Sequence, residues 1–153
     1  MAVTVNPFDP KTVLLAKHAQ HVVLVHFPIA LFLTSVGFDF VARWKKSATL
    51  ATVAHYNLMI AAIATVPVVI TGLLAWRWQL EGHRFSGILL DHLVLGVTST
   101  VLIWVVWWMH AQARRKNDAS ASRLIPAVEL VAALAVAVTA HLGGFLSGVN
   151  VPG

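Results

Sequence analysis

Four uninterrupted apolar stretches dominate the chain: Val22 to Val41, Leu50 to Trp76, Ile88 to Met109 and Leu124 to Leu146. A helix needs about 20 apolar residues to cross roughly 30 Å of hydrocarbon, so each stretch is long enough to span a bilayer. Lipid offers no partner for a free backbone amide, and the stretches are too continuous for alternating barrel strands, so they are read as helices. Short connections between four spans predict an all-α, up-down-up-down four-helix membrane bundle over residues 22–153, preceded by an interfacial segment over residues 1–21. Only 11% of the 153 residues are charged, against 58% apolar, which is the balance of a multi-pass membrane protein rather than a soluble domain.

Basic residues set the expected orientation. Arg43, Lys45 and Lys46 fall between spans one and two, and Arg114, Arg115, Lys116 and Arg123 between spans three and four. The other side holds Lys11, Lys17, Arg77 and Arg84, offset by Asp9, Glu81 and Asp91. The bias places both termini outside the cytoplasm, and a bacterial inner membrane with His26, His92 and His141 toward its periplasmic side is expected. The net charge of +5 is accounted for by loop cations meeting anionic lipid, so no nucleic-acid partner is implied. No cleavable signal peptide is visible, and the first span is read as retained.

Local signals are sparse. Asp9 and Pro10 read as an N-cap and first helical position, which would start a short interfacial helix over residues 10 to 20. Pro28 and Pro67 lie inside spans one and two, where each frees a carbonyl four residues earlier. The six tryptophans gather mostly toward the ends of the stretches, as interfacial anchors do. No internal repeat or low-complexity tract stands out.

Cysteine is absent. Disulfides, thiolate nucleophiles, Cys-ligated iron–sulfur clusters and covalently attached haem are therefore excluded for this chain alone, and a redox centre would have to use histidine or methionine. There is no His-Glu-x-x-His pair, Gly-x-Ser-x-Gly elbow or phosphate-binding glycine loop. These absences argue against a self-contained enzyme and for a non-catalytic subunit.

Histidine then becomes the informative residue. His26, His92 and His141 sit in three different spans, and antiparallel threading brings them to one side of the membrane at similar depth. An intramembrane imidazole is costly unless paired, hydrated or ligated. Gly96 and Ser99 share a face with His92, and Gly143 and Gly144 follow His141, leaving room for a flat group or for close helix packing. Spans one and three can lie diagonally, so His26 and His92 are the expected axial ligands of a b-type haem (heme b), with His141 in reserve. Arg77, between two tryptophans, is an interfacial cation that could meet a propionate or a quinone headgroup. The same triad could instead hold copper or zinc, with an open position. His55 and His110 could hold a second haem, although His110 is expected at the headgroups. His21 is expected near the interface, within reach of the outer cluster.

The runs His21-Val22-Val23-Leu24-Val25-His26-Phe27-Pro28-Ile29-Ala30, Thr71-Gly72-Leu73-Leu74 and His141-Leu142-Gly143-Gly144-Phe145-Leu146, with His92 between them, resemble the domain-of-unknown-function 2231 (DUF2231) family. The resemblance covers the chain from about residue 18. It implies a small polytopic protein of the bacterial inner membrane, joined to or encoded near periplasmic or Rieske-type redox modules in some members. With the histidines, this leads to the expectation of an electron-transfer subunit relaying electrons between a periplasmic redox protein and quinone or a larger respiratory complex. A structural membrane anchor of such a complex and a three-histidine metal protein are the alternatives.

Overall fold

The computed structural model describes residues 19–116 and 121–148. The interfacial helix expected before span one lies outside these residues, apart from Ala19 and Gln20, which open the first helix. The described residues form four α-helices: α1 (Ala19–Lys45), α2 (Ala48–Gln79), α3 (Ile88–Lys116) and α4 (Ala121–Leu146). All four are long and apolar enough to cross a membrane.

The helices form two antiparallel hairpins. α1 packs mainly on α2 and α3 mainly on α4, with lighter contacts between α2 and α3 and between α1 and α4. This ring of neighbours leaves α1 and α3 diagonal, as expected. The α1–α2 corner is built by local chemistry. Lys46 takes the left-handed conformation (φ 52), while Ser47 N–H donates to Ala42 O at 2.9 Å and Lys46 N–H to Arg43 O at 3.4 Å. That pattern is a Schellman ending, which satisfies two carbonyls that the helix would leave bare. Ser47 then caps α2, its hydroxyl accepting from Leu50 N–H at 3.3 Å. At the opposite end, Trp76 Nε1–H donates to His83 O at 2.9 Å and its ring stacks on Phe85, fastening the α2–α3 turn.

The core runs along the bundle axis through Phe32, Leu58, Ala61, Val106 and Ala132, each fully buried, with Ile103 and Val136 nearly so. Ala54, Ala61 and Ala62 on α2 and Ala132 on α4 are buried, small residues of the kind that serve helix packing where lipid removes the hydrophobic drive. Trp44 and Trp78 are exposed near helix ends, as belt anchors should be. Trp104 and Trp107 behave differently from that expectation: Trp104 Nε1–H donates to Thr65 Oγ1 at 3.1 Å, and Trp107 packs against the core. Trp104 thus gains an interhelical acceptor, whereas Trp107 Nε1 is buried without a hydrogen-bond partner.

The fold also carries a repetition that residue identities alone conceal. Every buried residue described on α3 and α4 stands 71 positions after a buried residue on α1 or α2. On the diagonal helices the pairs are Pro28/Ser99, Phe32/Ile103, Ser35/Val106 and Asp39/His110; on the other two they are Ala54/Ile125, Leu58/Glu129, Ala61/Ala132 and Thr65/Val136. His21/His92, Arg43/Arg114 and Gly72/Gly143 match in identity at the same offset. The two hairpins are thus parallel structural repeats related by a pseudo-twofold axis along the bundle.

Candidate functional site

A buried polar cluster lies toward the end of the bundle that carries the two basic corners. Asp39 on α1, His110 on α3 and Glu129 on α4 are 4%, 7% and 0% exposed. Each sits five or six residues inside its helix from Lys45, Arg115 or Arg123. At 1.5 Å rise per residue that is roughly 8–9 Å from the helix end, so the three share one depth. One ligand atom from each lies within 4.8 Å of the others, and among the described residues no other group of three histidine or carboxylate residues does so.

The hydrogen bonding within the cluster is unequal. His110 Nε2–H donates to Glu129 Oε1 at 2.9 Å. The second oxygen, Glu129 Oε2, is buried without a hydrogen-bond partner. Asp39 is held by Arg43, one turn further along α1, in an ion pair through Nε and Oδ2. His55 of α2 is close enough to His110 and Arg114 to interact with their charge, and its Nδ1 is buried with no partner. With both carboxylates ionised and Arg43 counted, the cluster retains one negative charge, which a proton or a metal cation would offset. Two carboxylate oxygens and one imidazole nitrogen suit Mn²⁺, Fe²⁺ or Zn²⁺.

The histidines singled out from the sequence are distributed differently. His26 is exposed on α1, and its Nδ1–H donates to Val22 O in the preceding turn at 2.6 Å. α1 begins well before Pro28, so His26 lies inside the helix rather than at its first turn. His92 is half-buried between α3 and α4, its Nδ1–H donating to Thr139 O at 3.1 Å. The face it shares with Gly96 and Ser99 all meets Thr139: Ser99 Oγ lies 3.0 Å from Thr139 Oγ1, and a Cβ on Gly96 would stand 3.8 Å from its methyl. His141 is exposed on α4 and meets Phe145 edge to face at 5.1 Å. α4 runs through Gly143 and Gly144 to Leu146. Arg77 is exposed in the last turn of α2, its guanidinium lying over the Gly82 turn.

The expected position of His110 is corrected outright. Its ring is buried on Glu129 rather than at the headgroups, because the bundle interior supplies a carboxylate at that depth. Asp39 and Glu129 were not singled out from the sequence. The available signal was the presence of ionisable residues inside apolar stretches, which applies to carboxylates as much as to imidazoles.

Fold and site together define a polytopic α-helical membrane protein with a buried ionisable cluster. The chain belongs to the family described as "Predicted membrane protein (DUF2231)", which matches residues 17–150. No curated protein and no solved structure matches it.

Proposed function

We propose that the chain is an intramembrane cation-handling protein whose site, Asp39, His110 and Glu129, takes up a first-row divalent ion in exchange for the proton between His110 and Glu129. The observation that carries this reading is Glu129 Oε2, a buried carboxylate oxygen without a partner beside two other potential ligands. A carboxylate left so in hydrocarbon is costly unless a cation completes it. A metal ligand must be deprotonated, so binding would release a proton. Calorimetric titration of the purified protein with Mn²⁺ and Zn²⁺, in buffers of different ionisation enthalpy, tests this. Stoichiometric binding that releases about one proton and is lost in Glu129→Gln is expected; absence of Glu129-dependent binding of both ions would overturn it.

A second reading keeps the opposite end of the bundle as a b-type haem site of a bacterial inner-membrane electron-transfer subunit, working with a periplasmic redox protein, quinone or a larger complex. It is favoured by His26 and His92 both holding Nδ1 on a carbonyl, which makes Nε2 the basic nitrogen, as in anchored metal-binding imidazoles. A reduced-minus-oxidised absorbance spectrum of the purified protein tests it, and a spectrum without haem bands after reconstitution with hemin rejects it.

A further inference from the structure

The 71-residue repetition supplies a placement that neither reading uses. Asp39 and His110 are equivalent positions on the diagonal helices, and their ligand atoms lie within 4.8 Å of each other. The pseudo-twofold axis therefore passes between them. In a helix with 3.6 residues per turn, a residue 18 positions earlier returns to the same face after five turns, about 27 Å away. Eighteen residues before Asp39 is His21, and eighteen before His110 is His92. The intervening stripe is buried throughout at Pro28, Phe32 and Ser35 and at Ser99, Ile103 and Val106, so it faces the bundle interior over its whole length.

We infer that His21 and His92 form a bis-imidazole site for a transition-metal ion across the axis, at the end of the bundle opposite the acidic cluster. Both rings are half-buried and seated in the same way. His21 lies against Gly72, where a Cβ would come within 3.0 Å of its Cε1, and His92 against Gly143, at 3.2 Å. Each is fixed through Nδ1 to the partner helix of its own hairpin, His21 to Thr71 Oγ1 at 3.3 Å and His92 to Thr139 O at 3.1 Å. The Thr71 hydroxyl donates to Pro67 O, so the proton in its bond with His21 belongs to Nδ1. The two imidazoles thus share one tautomer, in which Nε2 is the metal-binding nitrogen. The metal is either haem iron or a bare ion such as Cu²⁺, and the first case replaces His26 by His21 as the partner of His92 in the haem reading.

Titration of the purified full-length chain with ferric hemin and, separately, with Cu²⁺ distinguishes the two sources, through a low-spin bis-imidazole haem spectrum or nitrogen hyperfine structure on copper. One probe is expected to bind one-to-one, weakened at least about tenfold by His21→Ala and by His92→Ala and unaffected by His26→Ala. If hemin binding survives His21→Ala and is lost in His26→Ala, this proposal falls while the haem reading stands; if neither probe binds, both fall. The absence of cysteine permits a readout independent of any ligand. A short bis-maleimide is expected to cross-link a His21→Cys, His92→Cys double variant and not a His26→Cys, His92→Cys one. The reverse result would overturn the assignment.

Discussion

His110 and Glu129, on adjacent helices, meet at 2.9 Å with 8% and 0% of their side-chain surfaces exposed. Position 58, the counterpart of Glu129 in the first hairpin, is a fully buried leucine. The scaffold therefore accepts an apolar side chain at this level, and the carboxylate is an addition that packing does not require.

That difference separates two kinds of variant. His110→Ala strands the carboxylate of Glu129 and is expected to destabilise the protein by about 3 kcal/mol. The double variant His110→Leu, Glu129→Leu removes both polar groups and is expected to regain most of that loss. Thermal unfolding in detergent, followed by tryptophan fluorescence, gives the comparison.

Arg43 and Asp39 are expected to be coupled. Arg43→Ala leaves a carboxylate that is 4% exposed without its guanidinium, whereas Asp39→Asn, Arg43→Ala removes the charge as well. The Arg43 side chain is 32% exposed, so the coupling should be modest, about 1 kcal/mol. A double-mutant cycle on the same unfolding signal measures it.

Two glycines should respond oppositely to alanine. At Gly143 the new methyl would press on His92 at 3.2 Å and disturb its bond to Thr139, with an expected loss of about 1–2 kcal/mol. At Gly37 nothing lies within 4 Å, and Gly37→Ala should stabilise the helix by about 0.5–1 kcal/mol. Melting temperatures of the two variants, measured side by side, settle the signs.

Trp104→Phe removes the indole bond to Thr65 while keeping the ring. Interhelical hydrogen bonds in membranes are worth about 0.6 kcal/mol on average, and a loss of that order is expected. A loss several times larger would mean that Trp104 supports the neighbouring Trp107 edge contact at 5.5 Å as well.

The basic corners are expected to face the cytoplasm. In intact spheroplasts of an expressing bacterium, a membrane-impermeant maleimide should label His83→Cys, in the α2–α3 turn, and reach Lys46→Cys only after lysis. The opposite labelling would invert the topology.

The spans, the hairpin order and the diagonal placement of α1 and α3 were legible in the chain, because lipid makes apolar length a nearly sufficient signal. The site was legible only in part. The face shared by His92, Gly96 and Ser99 did turn out to be a packing face, met by Thr139. For His26 and His141 azimuth was not legible, since four helices of weak amphipathicity give no phase from which to tell interior from lipid. His110 was read against its nearness to a helix end, and its partner Glu129 lies on another helix. The repeat is hidden in the sequence because burial recurs at positions where identity does not, as at Asp39/His110 and Leu58/Glu129.

The Arg43–Asp39 pair bears on how the protein is made. Helix α1 leaves the ribosome before the helices bearing His110 and Glu129 exist, and a lone aspartate entering the lipid would oppose insertion. A guanidinium one turn away on the same helix neutralises it from the start. The first hairpin can thus settle in the bilayer electrically balanced and wait for the second to arrive.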